Sequence, residues 1–154
     1  MRAFDSRAPN CGDLRRKDRE LGYCAANSTV YYDETDLIRP AYEKLGDFAV
    51  TAGLSLPYAL AARAQAGLSV DDEVATSSAV CLTGWYTSQW YHRAFADVLD
   101  VTLSPGDVDE AVEFLLTYGA DPRVFPDVTA SGFELVGAFR DGFLTGGKKC
   151  GIGL

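Results

Sequence analysis

The 154-residue chain is predicted to fold as a mainly helical α+β domain of about five helices, a short strand or hairpin and two disulfides. Three observations predict this. Apolar residues recur at helical spacing in several separate stretches. A single short stretch, Thr29-Val30-Tyr31-Tyr32, is β-branched and aromatic, as strands are. Four cysteines, Cys11, Cys24, Cys81 and Cys150, stand far apart with no CxxC or CxxH spacing, a pattern of disulfides in an oxidising compartment. Four cysteines allow three pairings, and spacing does not choose among them.

Residues 1–28 lack sustained periodicity and carry Pro9, Gly12 and Gly22, so they read as a loop-rich arm pinned by Cys11 and Cys24. The strand that follows ends at Asp33. Asp33 or Thr35 can cap a helix through about Leu45, restricted by Pro40 and stopped by Gly46. Asp47 opens a segment that is apolar on nearly every face, which places it at the centre of the fold, with Gly67 as its stop. Asp71 or Asp72 starts a third helix reaching about Ala96, with Val74, Cys81, Leu82, Trp85 and Gln89 as its inner stripe. Ser104-Pro105 combines a cap with a proline at the first helical position. That helix turns Val108, Ala111, Val112, Leu115 and Leu116 inward and stops at Gly119. A proline-containing loop, Asp121 to Asp127, leads to a last helix capped by Ser131. Its inner face is predicted as Phe133, Val136, Phe139, Arg140 and Phe143, and Gly146-Gly147 end it.

The length fits one domain, 1–154, with no linker and no internal repeat. No apolar run reaches the ~20 residues of a membrane span. With 22 acids against 14 bases the net charge is −8, which argues against a nucleic-acid partner. Arg15, Arg16, Lys17 and Arg19 are interleaved with Asp13, Asp18 and Glu20 and read as a solvated mixed-charge loop. The lone histidine, His92, cannot build a His-rich metal site, and it lies about three helical turns from Cys81, too far for a nucleophile–base pair. Ser55, Ser77, Ser78 and Ser88 have no histidine at a suggestive spacing. Asp107, Asp109, Glu110 and Glu113 suit a helix N-terminus, with a calcium site as the alternative. Asn27-Ser28-Thr29 matches a glycosylation sequon, meaningful only in a eukaryotic secretory host. No cofactor is expected. Residues 2–5 offer no hydrophobic signal region, so the signal or anchor of an exported protein is expected to lie outside these residues.

Four stretches, in order, carry a resemblance. They are Gly22-Tyr23-Cys24-Ala25 through Thr29-Val30-Tyr31-Tyr32-Asp33; Leu45-Gly46-Asp47-Phe48; Val80-Cys81-Leu82-Thr83-Gly84-Trp85; and Leu103-Ser104-Pro105-Gly106-Asp107 with Gly132-Phe133 through Phe143. In this order and spacing the chain resembles the bacterial neutral zinc metallopeptidase family, an exported zincin-like group. The resemblance implies a zincin-like scaffold, the pairings Cys11–Cys24 and Cys81–Cys150, and an extracytoplasmic place, secreted or anchored in the envelope. It also implies a His-Glu-x-x-His helix, in which two histidines grip zinc and the glutamate is the general base. Here Leu56 and Leu60 stand at the histidine positions and Pro57 at the glutamate. Thr76 replaces the third ligand, five residues before Cys81, and Val80 replaces a nearby aspartate. Leucine has no lone pair for a metal, and proline has no carboxylate to take a proton. The expected protein is therefore a pseudopeptidase whose closed site is filled by hydrocarbon, with a kink or altered helix start at Pro57. Its expected work is binding a protein or peptide of the cell envelope. Val30, Tyr31 and Tyr32 would retain an edge that pairs with an extended peptide, and Tyr58 would stand near the old cleft. Membrane contact is expected only through an anchor. The alternative is a hydrolase working through an unrecognised, non-zinc or rearranged site, which predicts an open polar pocket near Thr76.

Overall fold

A computed structural model describes residues 1–5, 9–11, 19–98, 100–125 and 130–152. Arg15, Arg16, Lys17, Asp13, Asp18 and Gly12, and Asp127 of the predicted loop, lie outside the described residues. Among those described, the chain is α+β and mainly helical, with three strands and five α-helices. The strands are β1 (Arg2–Phe4), β2 (Leu21–Cys24) and β3 (Thr29–Asp33). They form one sheet in the order β1-β3-β2, with β1 parallel and β2 antiparallel to β3. The arm is thus more structured than its sequence predicts. Short strands such as Arg2–Phe4 carry too few residues to show alternation, and pairing with β3 supplies what local pattern lacks.

Asp33 is buried, and its carboxylate accepts hydrogen bonds from the backbone of Thr35 (2.9 Å) and Asp36 (2.8 Å). It caps a π-helical turn over Glu34–Ile38, which runs into α1 (Arg39–Leu45). Pro40 sits in the first turn of α1, where a missing N–H costs least. Gly46 then adopts φ 113°, a conformation open to glycine. The Glu110 carboxylate fills the space a Gly46 side chain would need and accepts a hydrogen bond from Phe48 N at 2.8 Å. The start of α2 (Asp47–Gln65) is therefore capped from another helix, α4 (Pro105–Tyr118). α2 keeps its predicted start at Asp47 and continues through Pro57, which is fully buried.

α3 (Glu73–Tyr91) is capped by Asp72, which accepts from Ala75 N at 2.6 Å. It ends before the predicted Ala96. Arg93 takes φ 58°, and the chain doubles back so that Phe95 packs on Trp90, ring centroids 5.1 Å apart. Val74, predicted to face inward, is 69% exposed, while its neighbour Ala75 is fully buried, so the inner face of the first turn of α3 lies one residue further on. Ser104 and Ser131 cap α4 and α5 (Gly132–Thr145) as predicted, and each completes a capping box, with Asp107 and Glu134 respectively. Leu116, Phe133 (81% exposed) and Arg140 point outward, against prediction. Phe139 is buried as predicted, with Val136 and Phe143 packed against the core, and Leu135 and Gly142 complete the inner face of α5.

α3 and α5 pack closely through two glycines. A side chain at Gly84 would strike the Phe139 carbonyl, and one at Gly142 the Cys81 carbonyl. The main core joins Phe48, Ala52 and Leu56 of α2, Val80 of α3, Phe114 and Leu115 of α4, and Leu135 and Phe139 of α5. Both disulfides, Cys11–Cys24 and Cys81–Cys150, are present and leave no free thiol. The first sits under Tyr31, and the second ties the C-terminal turn at Gly147–Cys150 to α3. Two disulfides suit an oxidising environment outside the cytoplasm. No helix among the described residues is long and apolar enough to cross a membrane.

Candidate binding cleft

Leu56, Pro57, Leu60 and Thr76 meet at one small cleft. Leu56 and Leu60 are a helical turn apart on one face of α2, and Pro57 is three residues before Leu60, so they share a wall. Thr76 and Ala79 face them from α3, while Leu21, Gly22 and Tyr23 of β2 form another side. Val124 and Phe125 close one end, and Arg19 and Asp71 add polar groups to the lining. The cavity measures about 50 Å³, room for a few waters. Leu56 is buried in the main core, and Leu60 packs against the cluster of Ala59, Ala79, Cys81, Leu82 and Cys150. Val80, one turn beyond Thr76, is fully buried in the core and is not part of the lining. At the four converging positions the only polar side-chain group is the Thr76 hydroxyl. Two leucines and a proline supply neither a metal-binding lone pair nor a proton acceptor.

The predicted peptide-binding edge is corrected by the sheet. β3 is its middle strand: Tyr31 is paired with Arg2 on one side and Gly22 on the other. Val30 and Tyr31 are buried, Tyr32 is half-buried, and none can add a further strand. The outer strand beside the cleft is β2. Tyr58 is also displaced. It lies two residues from Leu56 and from Leu60, about 200° round the helix, and faces a different cavity.

Glu20, read as part of a solvated loop, is only 6% exposed. Its backbone N–H donates to the Arg123 carbonyl at 3.0 Å, and its carboxylate pairs with the Arg123 guanidinium at 2.5 Å. This latch holds the 121–125 segment against the start of β2 and so sets the end wall of the cleft. Burial pushes the Glu20 carboxyl above its ordinary range; Arg123 opposes the shift, while Asp121, Asp33 and Asp36 add to it. Asp121 is held low, chiefly by its hydrogen bond from Arg123. Tyr118 is pushed up by burial and by the charges of Glu20 and Asp121. Nothing local in the sequence signals a pair separated by a hundred residues. Another ion, Arg63, is buried and donates from Nε to the Ser69 carbonyl at 3.0 Å, fixing the turn before α3.

The other sequence candidates resolve as packing. Cys81 is disulfide-bonded and offers no nucleophile. His92 packs edge-on against Tyr91 and near Phe143. Ser55 donates to Thr51 O at 2.8 Å, and the Ser78 hydroxyl donates to the Cys150 carbonyl. Asp109 and Glu113 are exposed. Asp47, Asp107 and Glu110 bring carboxylate oxygens within 4.8 Å of one another. Two of them already serve backbone: Asp107 accepts from Ser104 N at 2.5 Å, and Glu110 accepts from Phe48 N.

No family model matches the chain, and neither a curated protein nor a solved structure matches it.

Proposed function

We propose that the chain is a non-catalytic binding domain, a peptidase-like scaffold that holds a protein or peptide in the cell envelope or outside the cell. The observation that carries this reading is the convergence of Leu56, Pro57, Leu60 and Thr76 on one cleft beside the outer strand β2. Positions expected to carry ligands and a base in the zinc metallopeptidase family come together in space, and their side chains are unfit for that chemistry. An extended peptide laid along β2 could pair with backbone there, a mode that needs no metal. The location rests on the two disulfides and on the resemblance.

Three measurements test it. Zinc analysis of the purified protein and a broad peptide-hydrolysis assay are expected to give substoichiometric zinc and no turnover. Selection from a displayed peptide library is expected to yield extended sequences whose binding is lost in Thr76→Trp, which fills the cleft, with circular dichroism unchanged. Stoichiometric zinc with turnover overturns the reading, and so do selected peptides indifferent to Thr76→Trp.

A further inference from the structure

The face of α2 opposite the cleft borders a second and larger cavity of about 430 Å³. That volume lies in the range of small-molecule sites. Ser55, Ala59 and Ala62 are spaced by four and three residues, so their short side chains leave one stripe of α2 open. Three aromatic residues stand round the gap: Tyr58, 49% exposed, with Trp85 and Tyr86 of α3. No residue of the lining is charged, and the whole chain carries −8. One polar group there is unaccounted for. Thr83 borders the cavity, is only 2% exposed, and its hydroxyl has no hydrogen-bond partner among the described residues. A buried hydroxyl without a partner costs free energy, which a ligand oxygen met by a turn of the Thr83 side chain about χ1 would recover.

We propose that this cavity is a binding site for a neutral, flat aromatic molecule bearing one hydroxyl or carbonyl oxygen, which meets Thr83. Apolar walls and aromatic rings favour a planar ring system that can stack or pack edge-on. The uncharged lining and the negative chain disfavour a carboxylate. This site stands apart from the peptide-binding reading, since it lies on the other face of α2.

The probe is 1-naphthol, compared with naphthalene and 1-naphthoate, by calorimetry and by fluorescence of the two tryptophans. The expected result is saturable binding of one 1-naphthol per chain, with 1-naphthoate at least tenfold weaker. Ala62 is exposed, so Ala62→Phe should fold normally; filling the mouth of the cavity, it is expected to weaken 1-naphthol at least tenfold. Thr83→Val replaces an unpartnered hydroxyl by a methyl. It is expected to abolish the preference for 1-naphthol over naphthalene while leaving naphthalene binding in place. Non-saturable or multiple binding, equal affinity for 1-naphthoate, or indifference to Ala62→Phe overturns the proposal. A dimer in sedimentation that Ala62→Phe dissolves assigns this face to a second copy of the chain and also overturns it.

Discussion

At the scale of single residues, burial decides which charges matter. Glu20 is the clearest case. Its carboxyl is raised above its ordinary 4.5 because burial penalises the anion more than Arg123 favours it. The folded chain therefore holds that proton more tightly than the unfolded chain, so ionisation of this carboxyl costs stability at neutral pH. The penalty fades as pH falls through the raised value towards 4.5. Glu20→Gln cannot ionise and is expected to be more stable than the parent at pH 7, with the gap closing on acidification. Urea denaturation at pH 7 and near pH 4 checks this, and a less stable variant at pH 7 would show that the Arg123 pair outweighs burial. Asp33 carries the opposite lesson. It caps two backbone donors from a buried position, and Asp33→Ala is expected to lose about 1–2 kcal/mol by the same measurement. Asp33 was legible as a cap because caps are local. Glu20 was not, because its partner is brought to it only by folding.

At the scale of elements, the helix starts and stops follow from local chemistry. Ser104, Ser131, Asp72 and Gly46 stand at the boundaries their residue types suggest. Helix faces were less legible. Phe133 and Leu116 are apolar yet exposed, and the contact between α3 and α5 runs through glycines, which carry no hydrophobic signal. The two helices approach closely because Gly84 and Gly142 leave their backbones bare. Gly84→Ala and Gly142→Ala each set a methyl against a carbonyl and are expected to cost about 1–3 kcal/mol, read as a lower urea midpoint. Gly137, with open space around it, is the control: Gly137→Ala is expected to be neutral or stabilising. The sheet misled for a related reason. Val30-Tyr31-Tyr32 reads as a strand but says nothing of whether its edges are free, and the two neighbours that cover them, β1 and β2, have weak patterns of their own.

At the scale of the whole molecule, one disulfide closes a loop within the N-terminal arm and the other ties the C-terminal turn to the middle of the chain. Cys81–Cys150 spans 69 positions and Cys11–Cys24 spans 13. In the chain-entropy model the long loop is worth about 4 kcal/mol and the short one about 3. Replacing Cys81 and Cys150 by serine is therefore expected to lower the stability in denaturant more than replacing Cys11 and Cys24. The pairing itself was implied by resemblance, since the cysteine count leaves three ways open. The candidate cleft divides along the same line. That Leu56 and Leu60 share a helix face is a matter of spacing alone, fixed by 3.6 residues per turn. That Thr76, β2 and the Glu20–Arg123 latch close round them is a matter of long-range packing. The amino-acid order by itself determined the helices, their caps and the absence of metal-ligating side chains at Leu56, Pro57 and Leu60, because those properties are carried by residues within a few positions of one another. Only the tertiary structure decided which strand lies outermost, which helix faces meet and where the cavities open, because these depend on groups far apart in the chain whose contacts exist only once the core has formed.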